Sequence, residues 1–87
     1  MACVYILRCR DGSLYTGATT DVRRRLAQHQ AGRAAKYTRS RRPIALVWSQ
    51  RVRNWSAALR LERRIKDLSR AQKLDLVSSG RRIRSPR

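Results

Sequence analysis

The stretch from Cys3 to Gly17 constrains the fold more than any other part of the chain. Cys3-Val4-Tyr5-Ile6-Leu7 is a β-branched and aromatic run that predicts a strand. Asp11-Gly12 is a strong hairpin turn signal, and Leu14-Tyr15-Thr16-Gly17 predicts the returning partner strand. The N-terminal region is thereby committed to antiparallel pairing. What stays open is parity. A two-residue turn at Asp11-Gly12 places Tyr5 and Tyr15 on opposite faces, whereas a three-residue loop with a glycine bulge places them together. Asp-Gly followed by Ser suits either loop.

Thr19-Thr20-Asp21 offers N-cap oxygens for a helix from about Val22 to Gln30, ended by Gly32. Residues 33–42 read as a basic loop with one embedded tyrosine, and Pro43 opens a third strand, Ile44 to Trp48. Asn54 or Ser56 caps a second long helix, in which Ala58, Leu61, Ile65 and Leu68 recur at three- and four-residue spacing. Ser69-Arg70-Ala71-Gln72 has the capping-box pattern, so a final helix is expected over about 70–77, with Gly80 ending it. The order β-β-α-β-α-α predicts an α+β domain over residues 1–79, a small antiparallel sheet with helices packed on it. The basic tail, 80–87, has little to bury and is expected to be disordered.

With 87 residues there is room for one domain and a modest core. The 22 Lys and Arg against 5 Asp and Glu give a formal charge of +17, which points to a polyanionic partner. Nucleic acid is favoured over membrane, because no stretch resembles an amphipathic helix with a wide aromatic face. The apolar run Ala2–Leu7 is too short to span a bilayer or act as a signal sequence. A cytoplasmic location is the expectation, with association to the nucleoid left open. Cys3 and Cys9 lie on one strand, roughly 20 Å apart at ~3.3 Å per residue, so they cannot bridge each other. A single histidine rules out Cys/His zinc spacing.

Glu62 is the only glutamate, and it lies along the flank of the apolar stripe. At the edge of a core such a carboxylate needs an arginine partner or a divalent cation. On the first helix, Val22, Leu26 and His29 mark the inner face, with Arg25 four residues before His29. Periodicity alone leaves Arg23 open as the inward arginine, and leaves His29 open to the plain reading of a half-buried core histidine. Each strand tyrosine taken singly also suits plain packing.

Taken together these residues resemble the signature of the GIY-YIG nuclease superfamily. The resemblance rests on Val4-Tyr5-Ile6, then Tyr15-Thr16-Gly17 and Thr19, then Arg25-Leu26-Ala27-Gln28-His29, with Glu62 on the helix after the third strand. Lys36-Tyr37-Thr38 followed by Arg41-Arg42-Pro43 resembles the small stand-alone bacterial members, and the likeness covers roughly residues 3–77. It implies a three-stranded antiparallel sheet flanked by helices, and hydrolysis of a phosphodiester. It further implies Tyr5 and Tyr15 at the reacting centre on a shared face, Arg25 on the phosphate, and Glu62 on one Mg²⁺ or Mn²⁺.

Such chemistry needs an activated water, charge neutralisation and a stabilised leaving oxygen. Arg25 can fork onto non-bridging oxygens. A phenol with an unperturbed pKa near 10 is a weak base at neutral pH, and Arg8, Arg25 and Lys36 are expected to lower that of Tyr5. On this reading Tyr5 is the general base, Tyr15 binds the phosphate or orients the water, and His29 or Tyr37 relays protons. The two tyrosine roles are interchangeable at this stage. Arg8, Lys36, Arg39, Arg41 and Arg42 are the expected phosphate contacts, mostly without base reading. Trp48 and Trp55 suit core or core-edge packing better than base stacking. The leading expectation is a metal-dependent endonuclease or nickase acting on structured or damaged DNA. Its rivals are a non-catalytic nucleic-acid-binding protein of the same fold, and a nuclease subunit that needs a protein partner for targeting. Oligomeric state is not written in the chain.

Overall fold

The computed structural model describes residues 1–83. Strand β1 (Ala2–Arg8) pairs antiparallel with β2 (Leu14–Thr19) on one side and with β3 (Ala45–Val52) on the other, so the sheet order is β2-β1-β3. Helix α1 (Val22–Gln30) and a single helical turn α2 (Lys36–Arg39) lie between β2 and β3, and α3 (Trp55–Lys66) and α4 (Arg70–Ser79) follow. This is the expected α+β architecture, with one addition. The stretch 33–42, expected as an open basic loop, contains the turn α2, because Thr38 in that turn is drawn into the interior.

Local sequence sets most of the boundaries. Asp21 caps α1 by accepting from the Arg24 amide at 3.1 Å, and Asn54, not Ser56, caps α3 by accepting from the Ala57 amide at 2.8 Å. Ser69 and Gln72 form the expected capping box of α4, and Gly80 ends that helix in the left-handed region at φ 65°. The third strand runs four residues past Trp48, since Gln50 and Val52 continue its buried alternation. No helix among the described residues is long and apolar enough to cross a membrane.

Alternation along β1 splits the interior into two layers. Ala2, Val4 and Ile6 face α3 and α4, joining Trp48, Val52, Ala58, Leu61, Ile65 and Leu76. Tyr5, Leu7 and Cys9 face α1, joining Ile44, Tyr15, Val22 and Leu26. Full burial of each large aliphatic side chain contributes about 1.5–3 kcal/mol, so the first layer supplies most of the cohesion. Both cysteines are buried and free.

The beginning of the expected disordered tail is placed against β3. The Trp48 indole donates to the Arg81 carbonyl at 2.9 Å, and Gln50 exchanges two hydrogen bonds with the Ile83 backbone at 2.6 and 2.7 Å. A buried glutamine with both amide groups satisfied by backbone acts as a short extra rung on the sheet. Residues 84–87 of that tail lie outside the described residues.

Candidate active site

The hairpin loop settles the parity left open by the sequence. Gly12 donates to the Cys9 carbonyl and Cys9 to the Ser13 carbonyl, both at 2.9 Å, with Gly12 at φ 85°. This is the three-residue loop with a glycine bulge. Tyr5 therefore pairs with Gly17, Tyr15 with Leu7, and both tyrosines project from the same face.

Gly17 explains how Tyr5 fits. The phenol end of Tyr5 lies directly over Gly17, and a Cβ there would collide with the Tyr5 hydroxyl and Cζ. A glycine inside an edge strand is thus required by close approach, not by backbone angle. Beneath α1 the Tyr5 hydroxyl meets His29 Nε2 at 3.0 Å, and His29 Nδ1 meets Thr38 Oγ1 at 2.8 Å. Thr38 Oγ1 also lies 3.2 Å from the Ala35 carbonyl, to which it donates. A hydroxyl has one hydrogen, so Thr38 accepts from Nδ1–H, Nε2 carries the lone pair, and the Tyr5 hydroxyl donates to it. The chain of donors runs Tyr5 to His29 to Thr38 to Ala35.

Burial sets the protonation of this pair. His29 is wholly buried and Tyr5 is 2% exposed. Desolvation, then the nearby Arg25 charge, hold the His29 imidazole below its usual pKa. For Tyr5, desolvation pushes the phenol up, and the charges of Tyr15 and Glu62 add to that, while Arg25 opposes it by hydrogen bonding and charge. The expected lowering of the Tyr5 pKa is therefore overturned, because burial outweighs the one cation that acts on it. Arg8 is exposed and, by strand alternation, belongs to the α3 side of the sheet, away from Tyr5. Lys36 is exposed on α2. Both partners are neutral near pH 7, and His29 is placed to accept the Tyr5 proton.

The remaining aromatic residues continue the cluster. Tyr15 lies edge-on to His29 with ring centroids 5.3 Å apart and stacks on Tyr37 at 5.9 Å. Arg41 lies over the Tyr37 ring, 3.9 Å from its centroid, and pairs with Asp11 at 3.0 Å. Asp11 also accepts from Ser13, and those hydrogen bonds, with the Arg41 pair, hold its carboxyl below the usual range. Arg41 thus ties the hairpin loop to α2 and props Tyr37. Arg42 is similarly engaged, donating to the carbonyls of Arg39 and Gln30. Lys36 and Arg39 lie on the exposed side of α2.

Of the three arginines on α1, Arg23 and Arg24 are exposed and Arg25 is half-buried, its guanidinium held by Gln28 Oε1 at 3.0 Å. Arg25 is therefore the inward arginine. Glu62 approaches the same centre from α3, near enough for its charge to act on Tyr5. Its side chain is 19% exposed and Oε2 pairs with Lys66 at 3.2 Å. No group of three His, Cys, Asp or Glu side chains that could hold a metal ion occurs among the described residues. A hard carboxylate at a water-accessible edge does fit Mg²⁺, an ion that keeps several waters and borrows phosphate oxygens from its substrate.

Sequence reasoning missed the roles of Thr38 and Gln28 and the reason for Gly17. The signal for Gly17 was present, since glycine within a strand pattern marks close approach. Thr38 and Gln28 stand within the motifs that carry the resemblance, but their roles are not legible there, because their partners are set by the tertiary fold. The tryptophans divide. Trp48 is 6% exposed, as expected for packing, whereas Trp55 is 46% exposed in the first turn of α3 and is not a core residue.

Comparison with known proteins gives a consistent result. A family model described as the GIY-YIG catalytic domain matches residues 1–75. A UPF0213 protein of Staphylococcus haemolyticus is 51% identical over 74 residues, 85% of this chain and 90% of the relative. A UPF0213 protein of Vibrio cholerae is 56% identical over 81 residues, 92% of this chain and 80% of the relative. The solution NMR structure of a UPF0213 protein from Bacillus halodurans superposes with a TM-score of 0.58 at 51% identity, covering 90% of this chain and 84% of that one.

Proposed function

This chain belongs to the GIY-YIG catalytic domain family, and on that premise we propose that it is a metal-dependent endonuclease or nickase hydrolysing phosphodiester bonds in DNA. The observation that carries this reading is the buried Tyr5–His29–Thr38 donor chain, with the inward arginine Arg25 on the same helix as His29.

In the proposed mechanism a water approaches the phosphorus as its proton passes to the Tyr5 oxygen. The Tyr5 proton moves at the same time to His29 Nε2, the lone-pair nitrogen. Thr38 holds Nδ1–H and so fixes the tautomer, while burial keeps the imidazole neutral and ready to accept. This division of labour removes the need for a free phenolate, which the buried site disfavours. Tyr15, without a fixed hydroxyl partner in the donor chain, is left to orient the water or donate to a phosphate oxygen. Arg25, pre-aligned by Gln28, binds the non-bridging oxygens as their charge grows. When bound at Glu62, Mg²⁺ or Mn²⁺ supplies neutralisation of the phosphate and of the leaving oxygen. Lys36 and Arg39 contact flanking phosphates, and the net charge of +17 makes that binding strongly salt-dependent.

The test is cleavage of supercoiled, nicked, branched and plain duplex DNA by purified protein, with Mg²⁺ or Mn²⁺ and with chelator. The expected result is metal-dependent cleavage, lost in Glu62→Ala and Arg25→Ala while DNA binding persists. Tight binding with no cleavage of any substrate would overturn the hydrolase reading.

A further inference from the structure

An open groove of about 440 Å³ is lined by Arg25 of the candidate centre and by the exposed indole of Trp55. Arg24, Arg25 and Gln28 of α1 line it, together with Thr19 at the end of β2 and Asp21, the N-cap of α1. Resting on the proposed nuclease activity, we infer that this groove holds an unpaired nucleobase of the DNA substrate, stacked on Trp55, next to the phosphate bound by Arg25.

Three observations support that occupant. First, Trp55 is the largest aromatic surface the described residues leave open, in a chain whose other tryptophan is buried and hydrogen-bonded to the Arg81 carbonyl. Its indole is 46% exposed and offers a free ring surface at the groove. Second, Arg25 belongs to both places: it lines the groove and it acts on the Tyr5 phenol. A nucleotide whose phosphate sits on Arg25 is therefore next to the groove that Trp55 lines. Third, the wall carries the charge and hydrogen-bonding groups that a nucleotide needs. Arg24 is exposed, and its charge offsets that of the Asp21 carboxylate, which also lines the groove and accepts from the Arg24 amide at 3.1 Å.

The chemistry distinguishes this from ordinary duplex binding. Bases inside a duplex present only their edges, whereas a stacking platform needs a free π-face. The predicted substrate thus carries at least one unpaired nucleotide beside the cut, as in a gap, a flap or a single strand. Trp55 is a specificity determinant in this scheme, and Arg25 links it to the reacting phosphate.

Binding in chelator, where no cleavage occurs, tests the inference apart from the nuclease activity. The probes are a duplex with a one-nucleotide gap and the fully paired duplex of the same sequence, read by anisotropy and by intrinsic tryptophan fluorescence. The expected result is about tenfold tighter binding of the gapped duplex, with quenching that arises from Trp55. In Trp55→Ala the preference and the quenching vanish while binding of paired duplex is unchanged. Trp55→Phe keeps most of the preference and none of the quenching. An unresponsive wild-type fluorescence, or a gap preference that survives in Trp55→Ala, would overturn the subsite. Cleavage without any gap preference would sink the subsite and leave the nuclease standing. Preference without cleavage under Mg²⁺ would do the opposite.

Discussion

Strand β1 sends Val4 and Ile6 into a layer under α3 and α4 that is apolar almost throughout, and Tyr5 and Leu7 into a layer under α1 that also holds His29, Thr38 and Tyr15. Neighbouring residues of one strand thus serve two different ends. The α3 side gains from burying aliphatic surface. The α1 side buries an imidazole and two hydroxyls, and stays stable because every one of them is hydrogen-bonded; no buried side-chain polar atom lacks a partner among the described residues. The proposed proton transfer and most of the stability therefore fall on opposite faces of the sheet, and each substitution should reveal which face it touches.

The widest separation is expected from one substitution on each face. Leu61→Ala, at a fully buried position under the sheet, should lower the unfolding free energy by about 2–5 kcal/mol. Its denaturation midpoint falls while cleavage per folded molecule stays at the wild-type rate. Arg25→Ala should do the reverse, losing about 10²–10³-fold in cleavage rate with little change in midpoint. Similar stability losses in the two variants would erase the proposed division.

Gly17→Ala should register in both assays. The added methyl takes the space of the Tyr5 phenol, so overpacking costs about 1–3 kcal/mol and the phenol is moved off His29. Retained cleavage in this variant would mean that the Tyr5–His29 contact is not needed.

The pH dependence of stability should come from the α1 side at both ends. The His29 pKa is lowered from 6.5, so its contribution is complete above that value and is lost as pH falls through the folded pKa. The Tyr5 pKa is raised from 10.0, so its contribution is complete below that value and is lost as pH rises through the folded pKa. Denaturation midpoints across pH should show the acid limb flattened in His29→Gln and the alkaline limb flattened in Tyr5→Phe. Cleavage should fall with acid in the same window, since a protonated imidazole cannot accept. The smallest effect belongs to Ser69→Ala, which removes the cap of α4 and should cost about 1 kcal/mol without altering cleavage.

Much of this arrangement was legible because it is local. Asp21, Asn54, Ser69 and Gly80 mark helix ends by chemistry that acts within four residues, and the alternation in Val4-Tyr5-Ile6-Leu7 forecasts the strand. Loop parity was undecidable, because Asp11-Gly12-Ser13 suits two loops and only the paired strands choose between them. The role of Thr38, named only as part of the Lys36-Tyr37-Thr38 motif, is hidden for a related reason. Its turn forms around a hydrogen bond to a histidine nine residues away. The Tyr5 pKa departs from the expectation because cation count is a property of sequence, whereas burial belongs to the packed sheet. Trp55 reads as packing from composition, and only the placement of the α3 N-terminus beside α1 shows it open. The docking of residues 81–83 depends on Gln50, whose amide could not be matched to a partner 33 residues away.

The central claim is that the Tyr5 hydroxyl, backed by His29, handles the proton of the attacking water. Single-turnover cleavage by Tyr5→Phe tests it most directly, since the ring over Gly17 is kept and only the hydroxyl is removed. The predicted result is a rate at least ~10²-fold lower at saturating DNA and Mg²⁺, with DNA affinity and fold retained. A folded Tyr5→Phe protein that cleaves as fast as wild type would contradict the account.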